Sequence, residues 1–100
     1  MPDHARAAFY GRCSQADADA ALARLCPEPI LPLMTPLTLG AGFASVPKQY
    51  IGATEDRAVP PAFQRTLAEQ CGAEHVPIDA DHFPFFSAPA ELADMLPARL

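Results

Sequence analysis

Val-Pro-Lys-Gln-Tyr-Ile-Gly-Ala-Thr-Glu-Asp-Arg, from Val46 to Arg57, and Asp-Ala-Asp-His-Phe-Pro-Phe-Phe, from Asp79 to Phe86, bracket the stretch around which this chain is organised. Residues 48 to 54, with Tyr50, Ile51 and Ala53, read as a short apolar strand of the kind covered on both faces in a parallel sheet. Glu55-Asp56-Arg57 follows at its end. The Pro60-Pro61 pair predicts a turn and a first helical position, and Phe63, Leu67 and Cys71 then fall four apart on a helix that Gly72 closes. Residues 74 to 79 predict a second strand, in which Pro77 requires an edge position or a bulge. A strand-helix-strand crossover sets the ends of two parallel strands side by side. A carboxylate after the first strand, Asp56, and an imidazole after the second, His82, then come within hydrogen-bonding reach at the strands' carboxyl ends, where open α/β sheets place their chemistry.

Downstream of this unit, Ser87 is expected to cap a final helix with Pro89 in its first turn, Leu92, Met95 and Leu96 facing inward, and Pro97 ending or kinking it. Upstream, residues 27 to 42 hold prolines every few positions, which forbids a helix, yet Ile30, Leu31, Leu33, Met34, Leu37 and Leu39 are too apolar for a solvated linker. That segment should lie extended across a hydrophobic surface, as a connector or as one wall of a substrate pocket. Before it, a weak helical pattern over residues 3 to 12 ends near Gly11. Ser14, with Asp17 three positions on, predicts the N-terminus of a second helix running from about Gln15 to Cys26, with Ala18, Leu22, Leu25 and Cys26 on one face.

One hundred residues, half of them apolar, allow one small domain with a modest core. The formal net charge of −5 repels phosphate backbones, so nucleic acid is not the expected partner. Cys13, Cys26 and Cys71 are odd in number and widely spaced, which indicates reduced, mostly buried thiols rather than a disulfide framework or a zinc knuckle. No apolar run is long enough for a signal peptide or a membrane span, so the expected location is the cytoplasm, with no membrane contact.

Taken singly, Asp56 reads as a turn or capping carboxylate and His82 as a structural histidine; together they read as a couple that orients an imidazole for proton transfer. Asp79, Asp81 and His82 could instead ligate a metal, but neither His4 nor His75 has matching spacing, and neither metal nor cofactor is expected. Such a couple serves a nucleophile, and none is evident. Ser14, Ser45 and Ser87 all lack the Gly-x-Ser-x-Gly context of a strand-to-helix elbow. Cys13 precedes a helix N-terminus and Cys71 follows an amphipathic helix, and burial is the expected fate of both.

The run Phe9-Tyr10-Gly11-Arg12-Cys13-Ser14, the segment Leu33-Met34-Thr35-Pro36, Val46-Pro47-Lys48-Gln49-Tyr50-Ile51, Thr54-Glu55-Asp56-Arg57-Ala58, Phe63-Gln64-Arg65 and Asp81-His82-Phe83-Pro84 resemble, in that order, the C-terminal part of an α/β-hydrolase group. That group contains plant methyl-ester esterases, hydroxynitrile lyases and bacterial esterase-like relatives. The resemblance implies an α/β fold of two parallel strands with a crossover and C-terminal helices, preceded by cap helices. Residues 1–42 would hold the cap helices and the Pro-rich return, and residues 43–100 the C-terminal part of the core. It implies Asp56, rather than Glu55, as the triad acid and His82 as the triad base. Phe9, Tyr10, Met34, Phe83 and Phe85 are candidates for lining the pocket of a small-molecule ester substrate. In lyases of the group a lysine tends to follow the histidine; Phe83 stands there instead, which favours ester hydrolysis. The resemblance implies that a complete member is about twice this length or more, consistent with usual domain sizes, and that the first strands, the oxyanion loop and the serine elbow are not in this stretch, so the isolated chain is expected to be inactive. The alternatives are a non-catalytic remnant that binds a ligand or a partner, and lyase activity in the parent. An open sheet edge would invite self-association or pairing with an N-terminal half.

Overall fold

The computed structural model describes residues 2–96. Its elements run α1 (Pro2–Phe9), α2 (Gln15–Leu22), α3 (Leu31–Met34), α4 (Gly42–Ser45), β1 (Gln49–Ala53), α5 (Pro61–Gln70), β2 (Glu74–Ile78), α6 (Pro84–Ser87) and α7 (Pro89–Met95). The two strands pair in parallel, Gln49 opposite Glu74 through Ala53 opposite Ile78. The register is unbroken, so Pro77 sits in no bulge. Glu74 N–H donates to Lys48 C=O and Thr54 N–H to Ile78 C=O. In a parallel ladder these bonds set the parity: residues 74, 76 and 78 face β1, while 75 and 77 face away. The missing N–H of Pro77 therefore lies on the outer edge of β2, where a proline costs no ladder bond.

The crossover helix forms for the reasons its sequence suggests. Pro60 is the N-cap and Pro61 the first helical residue, and Gly72 just past the C-terminus adopts φ +68°, the left-handed conformation that favours glycine. Its buried face differs from the expected one. Gln64 and Ala68 point inward, whereas Phe63 is 53% exposed. Small Ala68 lets the helix approach the sheet closely, and Gln64 supplies a donor for carbonyls left open beyond β1.

Ala53, Ile78, Ala80 and Ala88 form the buried cluster, with Ile51, Leu92 and Met95 packed partly against it. Leu96, expected inward, is 53% exposed. Ser87 does not cap α7. Ala88 occupies that position without a capping hydrogen bond, and the Ser87 hydroxyl donates to Asp81 Oδ1 instead. The reading of Pro97 as a helix terminator falls outside the described residues.

At the front of the chain, Ser14 caps α2 as expected, its Oγ accepting from Asp17 N–H at 3.1 Å. The helix stops at Leu22, however, and Leu25 and Cys26 are exposed rather than on a buried face. The segment from 27 to 42 departs furthest from expectation. It is exposed throughout, with Ile30 at 67%, Met34 at 70% and Leu37 at 82%, and it lies across no hydrophobic surface. Residues 31–34 even form one helical turn, because Pro32 falls in its first positions, where no intrahelical N–H is needed.

Candidate functional site

Asp56 and His82 stand at the carboxyl ends of the paired strands, and their approach follows from the ladder. Thr54 N–H donates to Ile78 C=O and Glu55 N–H to Ala80 C=O, so hydrogen bonding continues past the sheet and zips the two exit loops together. His82 Nδ1 then lies 2.9 Å from Asp56 Oδ2 and 3.1 Å from Oδ1. Asp56 is buried and Glu55 exposed, which identifies the acid that meets the imidazole.

Asp56 is also a turn carboxylate. Its Oδ1 accepts the N–H groups of Ala58 and Val59, both at 2.8 Å, and Gln64 Nε2 lies 3.3 Å from its Oδ2. The turn bonds and the contact with His82 thus belong to one side chain: the same bonds that shape the turn fix the carboxylate against His82. Gln64 ties this arrangement to the scaffold, since its Nε2 also donates to Ala53 C=O at 3.0 Å and Val59 C=O at 2.7 Å. Sequence periodicity passed over Gln64. A polar residue one position from the apolar stripe, inside the Phe63-Gln64-Arg65 run, was the available signal.

In the neutral tautomer whose Nδ1 donates to Asp56, the other ring nitrogen carries the lone pair. Nε2 has no hydrogen-bond partner among the described residues, and the side chain retains 24% exposure. Aromatic rings flank the imidazole: Phe83 with its centroid at 4.7 Å and Phe9 at 5.2 Å. Tyr10, 5% exposed, packs against Phe83 at 5.3 Å. The structure thus gathers Phe9, Tyr10 and Phe83 at His82. Phe85 touches Phe83 at 5.2 Å but is 55% exposed. Met34 is not brought to this cluster; it lies on the exposed turn α3.

An open groove of about 550 Å³ runs beside α1, lined by Arg6, Tyr10, Cys13 and Arg57 among others. No residue of segment 27–42 lines it, so the pocket-wall reading of that segment has no counterpart here.

The side chains weighed as metal ligands point to separate partners. Asp79 pairs with the Arg12 guanidinium, which holds its carboxyl below the usual carboxylate range, while Asp81 and His82 each bond elsewhere. Among the described residues no group of three His, Cys, Asp or Glu side chains is placed to hold a metal ion.

None of the hydroxyls meets His82. Ser14 Oγ accepts from the α2 backbone, Ser45 Oγ donates to Gly42 C=O, and Ser87 Oγ donates to Asp81. Cys13 is half-buried, and burial together with its bond to Asp81 pushes its thiol up to about 11, so it is protonated at neutral pH. Cys26 is exposed rather than buried, and no cysteine is paired. Among the described residues no helix is long and apolar enough to cross a membrane.

Comparison with known proteins places this geometry. A sequence model of the alpha/beta hydrolase family matches residues 2–95. Over 57 residues the chain is 44% identical to norfluorocurarine synthase 2 from Strychnos sp, a match covering 55% of this chain and 21% of that protein. Over a stretch of the same length it is 40% identical to methylesterase 9 from Arabidopsis thaliana, covering 55% of this chain and 22% of that one. The crystal structure of polyneuridine aldehyde esterase superposes with a TM-score of 0.83 at 26% identity, over 94% of this chain and 39% of its own. A histidine-to-alanine mutant of the same esterase matches equally well, at 25% identity. The chain thus spans about two-fifths of the length of this solved relative. The resemblance carried by the ordered motifs and the parallel crossover lead to one conclusion: the chain belongs to the alpha/beta hydrolase family, among relatives that include plant esterases.

Proposed function

We propose that this chain is the C-terminal portion of an esterase-like α/β-hydrolase that cleaves a small carboxylic ester through a Ser-His-Asp mechanism, with the serine supplied by sequence outside these 100 residues. The observation that carries the reading is the 2.9 Å contact between His82 Nδ1 and Asp56 Oδ2, with Nε2 unbonded among the described residues. In this mechanism Nε2 removes the serine proton during attack on the ester carbonyl and returns a proton to the departing alcohol. Asp56 holds the ring in the tautomer that keeps the Nε2 lone pair and offsets the imidazolium charge. Phe9, Tyr10 and Phe83 exclude water from that face and offer an apolar wall, and α1 and α2 belong to the cap over it. The three free cysteines favour a cytoplasmic location.

The test is a chimaera that joins the N-terminal three-fifths of polyneuridine aldehyde esterase to this chain, assayed on a p-nitrophenyl ester beside the chain alone. The chain alone should give no turnover above background, and the chimaera should hydrolyse the ester. Asp56→Asn in the chimaera should lower kcat by about 10⁴-fold, as expected when a triad acid loses its charge, and His82→Ala should abolish turnover. His82-dependent hydrolysis by the chain alone, or a folded, active chimaera indifferent to His82→Ala, would overturn the proposal.

A second reading, a partner-binding remnant without catalysis, is favoured by the exposed apolar residues of segment 27–42 and by the unpaired outer edge of β1. The intact mass of the native product separates the two. A larger product carrying a Gly-x-Ser-x-Gly peptide upstream supports the hydrolase, and a mass of 10.7 kDa supports the remnant.

A further inference from the structure

Asp81 is 1% exposed, the largest fully buried side chain described, and it stands immediately before His82. No step of the proposed chemistry uses it. Its carboxylate accepts from Arg12 N–H at 3.0 Å and the Cys13 thiol at 3.4 Å on Oδ2, and from Phe83 N–H at 3.2 Å and the Ser87 hydroxyl at 2.7 Å on Oδ1. A carboxylate offers about four acceptor sites, and here each has a donor. All four donors are neutral, because the Arg12 guanidinium pairs with exposed Asp79 instead. Only an ionised carboxylate can accept from two donors on each oxygen; a protonated acid or an amide would set a hydrogen against one of them.

The donors belong to chain segments seventy or more positions apart. One is the turn after α1, whose preceding residues Phe9 and Tyr10 lie against His82 and Phe83. The other is the loop after β2 that carries His82 itself, together with α6, which follows it and whose Ser87 supplies the hydroxyl. We infer that Asp81 is a positioning residue for His82: it clips the turn after α1 to the loop after β2, and so holds the Phe9 ring on the imidazole whose Nδ1 faces Asp56. The inference rests on the proposed role of His82 as proton carrier, and it adds a device that fixes the ring's second flank. Asp56 restrains the imidazole through Nδ1 alone, which leaves tilt about that bond free. The aromatic contact removes this tilt, and the contact depends on the clip.

The test uses Asp81→Asn in the full chain, with Asp79→Asn as a control that removes the charge from the exposed Arg12 pair and touches none of the four donors to Asp81. In labelled protein, Asp81→Asn should abolish nuclear Overhauser contacts between Phe9 and His82 while leaving those between β1 and β2. Alkylation of Cys13 by iodoacetamide at pH 8 should rise roughly tenfold or more as its turn is released. Asp79→Asn should change neither. Retained Phe9–His82 contacts with unchanged Cys13 alkylation in Asp81→Asn would overturn the inference. Should Asp81→Asn also lose the β1–β2 contacts, Ser87→Ala and Cys13→Ala each remove one donor. Stepwise weakening of the Phe9–His82 contacts with the sheet intact then supports the clip, and no weakening overturns it. In the chimaera, Asp81→Asn should lower kcat by about 10²-fold with KM little changed, the scale of a misplaced catalytic group; an unchanged kcat overturns the inference. Loss of the ring contacts in Asp81→Asn beside a chimaera indifferent to His82→Ala would sink the triad while leaving the clip.

Discussion

The carboxylate of Asp56 is held by a residue outside its pair with His82. Gln64 is 3% exposed and joins Asp56 to the carbonyls of Ala53 and Val59. Gln64→Ala leaves those buried acceptors without their donor, and it should cost about 1–3 kcal/mol in urea unfolding. It should also broaden the His82 imidazole resonances, since Asp56 loses its anchor to α5. Gly52 guards the same residue from the opposite side. A Cβ there would lie 2.3 Å from His75 Nε2 and 3.1 Å from Gln64 Oε1. Gly52→Ala must displace the His75 ring from its stack on Tyr50, now at 6.0 Å, and should cost about 1–3 kcal/mol as an overpacking change. Adding His75→Ala should recover most of that loss, and a double-mutant cycle showing no recovery would place the strain on Gln64 instead. These polar contacts were not legible beforehand, because the reach of Gln64 depends on which face α5 turns to the sheet. Asp56 and His82 were legible because each lies in the loop within four residues of a strand's end.

Among the elements, β1, α5 and β2 lie within a residue or so of their expected bounds. Each carries strong local signals: an apolar run, a Pro pair at the helix start, a glycine at its end. Parity of the ladder makes a sharp prediction about the two faces of β2. Pro77→Val alters only the outer edge, so unfolding midpoints should shift little, within about 0.5 kcal/mol, while light scattering should rise as that edge gains a donor. Val76→Pro removes a donor that faces β1 and should cost about 1–3 kcal/mol from the orphaned carbonyl alone. Equal effects at 76 and 77 would contradict the register. Short elements were read less well. α3 forms despite the prolines around it, because one in the first turn leaves no bond unmade. α2 ends at Leu22, short of its apolar pattern, because Leu25 continues that pattern while remaining exposed.

As a whole molecule, the chain has a radius of gyration of 15.4 Å, against roughly 13 Å for a compact domain of this length. The buried cluster is small, and large apolar side chains from Leu25 to Val46 face outward. Such an exposed stretch favours association, so sedimentation should show concentration-dependent self-association that Leu33→Lys and Leu37→Lys together reduce. Acid should weaken the fold in a defined direction. Burial pushes the Asp81 carboxyl up, but its hydrogen bonds from Arg12, Ser87, Cys13 and Phe83 together outweigh this and hold it below the ordinary range. A carboxyl whose folded value is depressed stabilises the fold fully above its unfolded value, about 3.9, and loses that contribution as pH falls through the folded one. Urea midpoints should therefore drop below about pH 4, and Asp81→Asn should flatten that acid limb; an unchanged limb would show that Asp81 is not its source. Local pattern by itself determined the crossover and the positions of an acid and a histidine at its strand ends, since strand ends and helix caps are decided by neighbours in sequence. Which carboxylate meets which donor, the four-way closure of Asp81 and the outward face of segment 27–42 were decided by tertiary structure. Those contacts join residues tens of positions apart, and burial depends on what a face packs against rather than on how apolar it is.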